Sequence, residues 1–418
     1  MLVFKFGGAS VKDANAVKNL RHIIESYNDN IVIVVSAMGK MTNAFEKLCH
    51  SYYNGNECVN FDFKSIYDYH YNIVNELFFD NSFLIKEKIE SLFNEIKTIL
   101  SNTCDENYAF VYDQLVPYGE LLSTTIISNY LNLCEKDCQY IDIRKCIITD
   151  NQYQEAKVDW VKSTDNIKKT FSFSKTSLYI TQGFIGGTIE EETTTLGREG
   201  SDYSAAIIAN ILNAKELVIW KDVSGLLNAD PKWFDDTIKL GNISYHEAIE
   251  LSYYGATIIH PKTIKPLENK LIPLYVKSFI EPTEEGSLIN KNTTKDEKIP
   301  SFIFKVNQVL ISISPKDFSF IIEENLSEIF KKLVEKGIKI NLMQNSALNF
   351  SICVDDNPSK IENFINSLKD NYKVLFNKGL ELATIRHYNE PTINRVLKGK
   401  TIYLEQKTRY TAQFVISN

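Results

Sequence analysis

Residues 1–10 read MLVFKFGGAS, a stretch that predicts a strand, a glycine turn and a helix in direct succession. Residues 2–6 are apolar and prone to β-structure, and Gly7 and Gly8 follow them at once. Glycines let backbone N–H groups approach an oxygen-rich ligand, and the unpaired donors of a helix N-terminus favour negative charge. Because Lys5 adds a positive charge before the turn, the stretch predicts an anion site. It matches neither a Walker loop nor a dinucleotide-binding fingerprint, so a tight turn without a ligand stays open at this point.

An alternation of strands and helices starts from this stretch. A helix is predicted over residues 11–27, and Ser10 with Asp13 three residues on is typical of an N-cap with a capping box. Residues 31–35, IVIVV, predict a buried parallel strand that ends at Ser36. This order favours an α/β fold with a parallel sheet.

The composition is that of an ordinary globular protein. The 418 residues are 44% hydrophobic and 24% charged, and the length suits two or three domains with well-formed cores. The formal charge of −7, without a basic tail, argues against a general nucleic-acid binder. No apolar run approaches the ~20 residues that span a bilayer, and no charged leader precedes the first strand. We therefore expect neither a membrane segment nor a signal peptide.

The seven cysteines are an odd, scattered set without a C-x-x-C pair. Cys134 and Cys138 lie closest together in the chain, but they lack a partnering Cys/His pair. We therefore expect reduced, mostly buried thiols in a cytoplasmic protein, and no metal site formed by protein side chains.

An aromatic-rich helical pattern follows the second strand. Residues 44–107 show no clear strand and predict a helical insertion that covers one side of the sheet. Residues 116–120, VPYGE, then lead into a helix with Glu120 in its first turn. The helix dipole alone favours a carboxylate there, so a plain N-terminal charge stays open as the alternative to a ligand-binding role.

A second glycine-rich segment, residues 193–202, reads TTTLGREGSD and opens a helix made largely of alanine and isoleucine. The N-terminus of that helix offers backbone donors beside a guanidinium and a carboxylate. Arg198 grips a carboxylate or phosphate with two N–H groups, which lysine does not do. A glycine-rich surface turn is the alternative reading of this segment.

Functional residue types recur at the ends of the predicted strands. Further apolar runs predict strands over residues 178–181 and 216–220. In α/β sheets, ligands bind beyond the carboxyl ends of the strands. These ends hold, in chain order, Lys5, Gly7, Gly8, Ser36, Gly183, Lys221 and Asp222. Their convergence on one edge of the sheet strengthens the prediction of a ligand site.

The patterns divide the chain into two main parts. Residues 1–282 form the predicted α/β domain, and the polar stretch 283–300 is the predicted linker. Residues 301–378 show a β-α-β-β-α-β order, which is ferredoxin-like. Residues 379–418 look like an abbreviated second copy of that unit.

Five motifs in this order, KFGGAS, VPYGE, TTLGREGSD, WKDVSGLLNADPK and GATIIHPKTIKPL, resemble those of the aspartate kinases. The resemblance spans the predicted first domain, and the tail resembles the paired ACT domains that regulate this family. It implies an amino-acid kinase (carbamate kinase-like) three-layer α/β sandwich followed by a ferredoxin-like ACT regulatory region. It also implies transfer of the ATP γ-phosphoryl group, with Mg²⁺, to the β-carboxylate of L-aspartate. The product, 4-phospho-L-aspartate, would enter lysine, threonine and methionine biosynthesis.

The resemblance also implies a role for individual residues. Catalysis would rest on Lys5 and Gly8, which stabilise the phosphoryl oxygens, and on Asp202. Arg198 would hold the substrate α-carboxylate and Glu120 its α-ammonium group, with Ser36, Thr42 and Ser201 completing the pocket. The nucleotide would contact Lys5, Gly7, Gly8, Ser10, Lys221, Asp222, Asp230 and Lys232. The acceptor carboxylate is already ionised at neutral pH, so no general base is required.

Three positions of the first domain depart from the family pattern. Glu199 stands where many members have glycine and places a negative charge beside the substrate anion. Lys221 replaces the usual threonine, and Thr257 stands where many members have a nucleotide-contacting lysine. These departures bear on affinity for substrates rather than on the reaction.

The regulatory region departs further. Lysine-sensing members carry an acidic residue near the start of the second ACT strand and a Ser-Glu pair at its end. Asn341 and Ser346-Ala347 stand at these positions here. Because two carboxylates that would pair with a lysine effector are missing, we do not expect lysine feedback.

We expect a homodimer through the ACT region, with strands pairing across a two-fold axis, and small-molecule ligands only. Two alternatives stay open. One is a kinase for glutamate or a similar acid, and the other is a catalytically weak amino-acid-binding regulator. The presence of Lys5, Glu120, Arg198 and Asp202 argues against the regulator, because a pure sensor needs no lysine aimed at a phosphoryl group.

Overall fold

The structure, a computed structural model, describes residues 1–79, 82–104, 106–256, 259–296, 299–317 and 319–417. It divides into two compact units. The first unit comprises residues 1–226, 239–249 and 259–293, and the second comprises residues 227–238, 250–258 and 294–418. The sequence patterns assign the two short segments of the second unit to the first domain, so they do not predict this division.

A largely parallel sheet forms the middle of the first unit. Its strands are β1 Leu2–Phe6, β2 Ile31–Val35, β3 Cys138–Ile141, β4 Leu178–Gln182, β7 Glu216–Lys221, β8 Asn242–Ser244, β9 Leu274–Ser278 and β10 Ser287–Asn290, while β5 Ile185–Gly187 and β6 Thr193–Thr195 form a separate hairpin. The order across the sheet is β3-β4-β2-β1-β7-β9-β10-β8. Neighbours from β3 to β9 are parallel, and β10 runs antiparallel to β9.

Helices cover both faces of this sheet. Every residue of β1, β2 and β4 is buried, and because successive side chains point to opposite faces, neither face is open to water at these strands. The helices up to residue 270 are α1 Ala14–Glu25, α2 Met41–Tyr53, α3 Val59–Phe78, α4 Phe83–Ser101, α5 Tyr108–Leu115, α6 Tyr118–Leu133, α7 Trp160–Thr170, α8 Gly200–Ile211, α9 Tyr245–Tyr254 and α10 Pro261–Lys270. The predicted three-layer α/β class is confirmed, and helices α2, α3 and α4 fall largely in the segment predicted as a helical insertion.

The first helix begins later than the sequence predicts. Gly8–Val11 forms a 3-10 turn, and the N-cap of α1 is Asp13, whose carboxylate accepts a hydrogen bond from Ala16 N. The prediction that Ser10 caps the helix is wrong. The buried Ser10 hydroxyl instead donates to the carbonyl of Trp220 at 3.1 Å, which ties the turn after β1 to the neighbouring β7.

Two further boundaries differ from the predictions. The sequence predicts the alanine-rich helix over residues 203–212, but α8 begins at Gly200, so Ser201 and Asp202 lie in its first turn. Strand β10 lies inside the segment predicted as a linker, where it pairs with β9. A polar stretch with one short apolar pair carries little strand signal, and its pairing partner decides its structure.

The second unit is built on an antiparallel sheet of order β12-β13-β11-β14-β16-β15. Its elements are β11 Ser301–Pro315, α11 Glu323–Glu335, β12 Ile340–Asn345, β13 Phe350–Asp355, α12 Pro358–Leu368, β14 Tyr372–Arg386, α13 Glu390–Leu397, β15 Thr401–Lys407 and β16 Thr411–Ser417. This antiparallel sheet with three helices confirms the predicted ferredoxin-like ACT region.

The two predicted copies in this unit share their strands. The sequence predicts separate strands at residues 374–376 and 382–388, but β14 is one strand of 15 residues. It pairs with β11, also 15 residues long, along nearly its whole length. At one end of this long strand pair, α11 and α12 pack on the sheet. At the other end, α13 packs on the sheet where β16 pairs with β14.

Among the described residues no helix is long and apolar enough to cross a membrane. None of the seven cysteines forms a disulfide with another described residue, and four of them are buried.

Candidate active site

A cavity of about 1120 Å³ opens at the carboxyl ends of β1, β2 and β7. Eight residues predicted for the site line it: Lys5, Ser36, Thr42, Glu120, Arg198, Ser201, Asp202 and Lys221. Six of them come from four separate sequence motifs, and Ser36 and Thr42 come from the loop after β2 and the start of α2. The cavity is therefore the candidate active site of the first unit.

Lys5 and Asp202 form a buried ion pair at one wall of this cavity. The Lys5 ammonium lies 2.6 Å from Asp202 Oδ1, and both side chains are almost fully buried. Lys5 sits near the end of β1, and Asp202 sits in the first turn of α8, where the helix dipole favours its carboxylate. Since Asp202 holds the ammonium in place, Lys5 presents a fixed positive charge to whatever enters the cavity.

Glu120 lies buried in the first turn of α6. Its Oε1 accepts a hydrogen bond from Ala37 N at 3.0 Å, while its Oε2 has no hydrogen-bond partner among the described residues. Burial raises the pKa of the Glu120 carboxyl to about 8, although the Ala37 N–H and the charge of Lys5 oppose the shift. A cationic ligand at Oε2 would restore the charged form. A plain helix-terminus charge would lie exposed, so the buried position favours the ligand-binding reading.

Arg198 and Glu199 occupy the loop just before α8. The Arg198 side chain is exposed to the cavity and makes no hydrogen bond or ion pair with the described residues. Glu199 is the N-cap residue of α8 and has a left-handed backbone with φ 53°. Its Oε2 accepts a hydrogen bond from His260 N at 2.8 Å. The Glu199 carboxylate is thus engaged by backbone, and the left-handed conformation explains why glycine suits this position.

The glycine turn after β1 packs closely on another loop. A Cβ on Gly8 would lie 2.5 Å from the carbonyl oxygen of Gly39, so only glycine fits there. Gly39 N also donates to the carbonyl of Gly8 at 2.9 Å. Packing between the two loops therefore explains why position 8 is a glycine. At position 7, a Cβ would lie 3.5 Å from Lys5 Nζ.

Other predicted nucleotide residues are not among the residues that line this cavity. Ser10 is used in the bond to Trp220 described above, and Asp222 is exposed just beyond β7. Asp230 and Lys232 belong to the second unit, where Asp230 Oδ1 accepts from Lys232 N at 2.9 Å. Thr257 lies outside the described residues.

The sequence did not indicate the outer wall of the cavity. This wall comes from α2, α5 and three loops, and it consists of Asn43, Glu46, Lys47, His50, Tyr108, Tyr112, Gln154, Glu155, Phe184 and Gly197. Tyr112 OH donates to Glu46 Oε1 at 2.7 Å, which joins α5 to α2. Helix α2 lies mostly in the segment predicted only as an insertion, residues 44–107, and α5 follows directly after it. The aromatic-rich pattern of that segment gave no signal of which face meets the ligand.

No group of three His, Cys, Asp or Glu side chains with the geometry of a metal site occurs in the described part of the chain. A divalent cation that arrives with phosphate needs few protein ligands, because Mg²⁺ keeps phosphate and water oxygens around it.

The position that matches the effector site of lysine-sensing members lies in the second unit and has a different character. Asn341 on β12 accepts a hydrogen bond from Lys305 Nζ at 2.8 Å and donates to Gln308 and Asp355 at 2.8 and 2.9 Å. Gln308 Nε2 also donates to Asp355 Oδ1 at 2.8 Å. We call Lys305, Gln308, Asn341 and Asp355 the Asn341 cluster. Its side chains partner one another.

Comparisons with known proteins agree with the predicted resemblance. The profile of the amino acid kinase family matches residues 1–278. The chain is 29% identical to lysine-sensitive aspartokinase 3 of Escherichia coli over 85% of its own length and 78% of that protein. It is 30% identical to the bifunctional aspartokinase/homoserine dehydrogenase of Buchnera aphidicola over 91% of its length, and it spans 47% of that longer protein.

A solved structure gives the same result for the fold. The crystal structure of E. coli aspartokinase III in complex with aspartate and ADP is similar with a TM-score of 0.83 and 26% identity. The match covers 100% of this chain and 96% of that one. Both parts of the predicted architecture therefore occur together in a known protein.

Proposed function

We infer that the chain, which belongs to the amino acid kinase family, is an aspartate kinase. It transfers the γ-phosphoryl group of ATP to the β-carboxylate of L-aspartate and gives 4-phospho-L-aspartate. One observation carries this conclusion: a buried lysine fixed by a carboxylate lies in the same cavity as a free guanidinium and a half-paired buried glutamate.

Lys5 is the residue to which we assign phosphoryl stabilisation. Charge in phosphoryl transfer is spread over the oxygens of the transferred group, and catalysis consists mainly of positioning and charge neutralisation. The ion pair with Asp202 orients the ammonium before substrates bind, so little reorganisation is needed during reaction. Gly7 and Gly8 supply the backbone turn beside it.

Arg198 and Glu120 suit the two ends of an α-amino acid. The guanidinium of Arg198 makes no bond to any residue that the structure describes, and it matches the α-carboxylate with two parallel N–H donors. The open Oε2 of the buried Glu120 matches the α-ammonium group. Ser36, Thr42 and Ser201 supply further polar groups on the cavity wall. Together they would leave the side-chain carboxylate of the substrate to meet the phosphoryl group.

ATP is the phosphoryl donor in this proposal, and Mg²⁺ enters with it. Bound ATP supplies the activated phosphoryl group, and its metal neutralises phosphate charge. Lys221, at the end of β7 and on the cavity lining, is the protein cation we assign to the phosphate side besides Lys5. Contacts of Asp222, Asp230 and Lys232 with the nucleotide stay predictions. We assign Ser10 no contact with the nucleotide, because its hydroxyl fixes the turn after β1.

Hydroxylamine trapping tests the proposed function directly. The chain is incubated with ATP, Mg²⁺ and either L-aspartate or L-glutamate, and the acyl phosphate is converted to a hydroxamate. We expect hydroxamate from L-aspartate and at least tenfold less from L-glutamate. Equal product from both acids would indicate a broader acidic amino-acid kinase. Absence of product with measurable aspartate binding would favour an amino-acid-binding regulator.

We further propose that the chain works as a homodimer through its ACT region in the cytoplasm. Exposed apolar side chains lie on or beside the edge strands of the second unit, among them Met343, Ile402 and Tyr403. Free thiols throughout the chain suit a reducing compartment. Sedimentation of the full chain should give twice the monomer mass. A stable monomer at assay concentrations would contradict the dimer.

A further inference from the structure

Asp113 is a buried carboxylate that the proposed reaction does not use. It lies on α5, its side chain is fully buried, and it has no cationic partner among the described residues. Its Oδ2 accepts hydrogen bonds from Gln154 N at 3.0 Å and Thr195 N at 2.8 Å, and its Oδ1 accepts from the Thr195 hydroxyl at 2.7 Å. Three donors from two distant segments therefore converge on one carboxylate.

The neighbouring residue extends this attachment along the same strand. Gln114 Nε2 donates to the carbonyl of Thr193 at 2.9 Å, and Thr193 N donates to Gln114 Oε1 at 3.3 Å. Asp113 and Gln114 thus hold alternate residues of β6 against α5. At the same edge of β6, the carbonyl of Thr195 accepts from Ala156 N at 3.0 Å, and the opposite edge of β6 pairs with β5. The end of β6 is fixed from both sides.

Both segments that Asp113 holds run straight into the cavity wall. Thr195 is the last residue of β6, and Arg198 follows three residues later. Gln154 and Glu155 line the cavity beside that loop, where they pack against Gly197. Tyr108 and Tyr112 on α5 line it as well. A shift of Asp113 would therefore move the Arg198 guanidinium and the neighbouring lining residues Gln154 and Glu155 together.

A buried charge without a counterion needs a reason. Burial raises the pKa of the Asp113 carboxyl against the lowering effect of its three hydrogen bonds. A charged acceptor makes hydrogen bonds that are shorter and stronger than those of a neutral one. An asparagine that kept its one oxygen on the two backbone N–H groups would turn its NH₂ group toward the Thr195 hydroxyl, which would then have to accept instead of donate. The carboxylate is the side chain that can serve all three donors at once.

We propose that Asp113 is a positioning residue that sets the affinity for the acidic amino acid, by holding the Arg198 loop and the 154–155 segment at their working distance. The inference rests on the proposed function, because it assigns the substrate carboxylate to Arg198. Asp113 touches no substrate itself. Its effect appears in the apparent affinity for the amino acid and leaves the phosphate side of the site unchanged.

Steady-state kinetics with two variants of this network test the proposal. Asp113→Asn removes the charge that accepts the three hydrogen bonds, and Thr195→Val removes the hydroxyl that donates one of them. We expect each to raise the KM for L-aspartate about tenfold, the size expected from loss of one hydrogen bond to a charged group. The KM for ATP and kcat should stay within about twofold. Thr195→Ser keeps the hydroxyl and should restore the KM of the unmodified chain.

Thr149→Val is the matched control. The Thr149 hydroxyl makes a buried 2.7 Å hydrogen bond to the hydroxyl of Thr194, which neighbours Thr195 on β6. Thr149 is not among the residues that line the cavity. Its loss should lower the melting temperature without changing the KM for L-aspartate. If Asp113→Asn fails to fold, Thr195→Val against Thr195→Ser still decides the question.

The outcomes distinguish a failure of the proposed function from a failure of the role assigned to Asp113. If the unmodified chain forms no aspartyl hydroxamate, the proposed function fails and this inference with it. If the unmodified chain is active but the Asp113 and Thr195 variants lose only thermal stability, like Thr149→Val, Asp113 is merely structural and the inference is overturned. An equal rise in the KM values for ATP and L-aspartate would also overturn it.

Discussion

Two polar clusters, the cavity of the first unit and the Asn341 cluster of the second, differ in how their groups are partnered. In the cavity, Glu120 Oε2 has no hydrogen-bond partner and Arg198 makes no bond to the described residues. In the Asn341 cluster, the amide of Asn341 donates twice and accepts from Lys305. The first cluster leaves donors and acceptors open, and the second uses them within the protein.

This difference separates a site prepared for a ligand from a network that completes itself. An unpartnered buried polar atom costs free energy, and a ligand that supplies the partner recovers it. A polar network whose members already bond one another gains little from a small ligand and must lose bonds to admit one. We therefore expect the cavity to bind an amino acid and the Asn341 cluster not to respond to lysine.

Replacement of Lys5 should have the largest effect on the cavity. Lys5→Ala removes the charge assigned to the phosphoryl oxygens, and we expect kcat to fall by about a thousandfold. Binding of L-aspartate should stay nearly intact because Arg198 and Glu120 remain. Hydroxamate formation measures the first effect and calorimetry the second. A variant that keeps most of its turnover would show that the assigned role of Lys5 is wrong.

Lys215→Ala is the control for Lys5→Ala. It also breaks a lysine–aspartate pair, that of Lys215 with Asp29 at 2.6 Å, but on an exposed surface. Such pairs contribute little to stability. Turnover should be unchanged, which separates loss of the phosphoryl charge from loss of an ion pair in general.

Arg198→Lys should have the next largest effect. Lysine keeps the positive charge but lacks the planar pair of donors, so we expect the KM for L-aspartate to rise about tenfold to a hundredfold. The KM for ATP should change little. Initial rates at varied concentrations of each substrate distinguish the two. A rise confined to the KM for ATP would place Arg198 on the nucleotide instead.

Glu120 should make stability depend on pH. Its folded-state pKa of about 8 is raised above its unfolded value, so the folded protein holds a proton that the unfolded chain has lost. Stability should therefore fall as the pH rises from about 5 to 8, by up to about 1.4 kcal/mol per pH unit from this group. Glu120→Gln should flatten that part of the profile. Melting curves of both proteins across this range measure the difference, and parallel curves would contradict the raised pKa.

Glu199 gives the smallest predicted effect and concerns backbone strain. Glu199→Ala and Glu199→Gly both remove the hydrogen bond to His260 N, but alanine must keep the left-handed backbone. We expect the glycine variant to be more stable than the alanine variant by about 1 kcal/mol. Chemical unfolding compares them. Equal stabilities would mean that this backbone conformation carries no strain.

The predicted site residues whose meeting in the cavity follows most directly from sequence are those at strand ends. Lys5, Ser36 and Lys221 follow buried apolar runs, and parallel pairing brings such ends together whatever the helices do. Ser10 was misassigned because a hydroxyl three residues before an acidic side chain has the local pattern of a capping box, while its actual partner is the distant Trp220. Local pattern does not encode a bond between residues 210 positions apart.

The outer wall of the cavity and the second unit show the same limit of prediction from local sequence. Tyr112 and Glu46 meet through the packing of α5 on α2, which amphipathic periodicity does not specify. Strand β14 reads as two short strands because its polar middle, around Gly379, breaks the apolar pattern. Its long partner β11 keeps it as one strand. Tertiary pairing decides these features.

The comparison between the two clusters is tested most directly by calorimetric titration of the full chain at pH 7 with L-aspartate and, separately, with L-lysine. Buffers of different ionisation enthalpy report the protons exchanged. We predict that L-aspartate binds with release of about one proton per chain, because the ammonium group drives Glu120 into its charged form, and that L-lysine gives no binding heat. Aspartate binding without proton release, or a saturable lysine signal, would contradict the account.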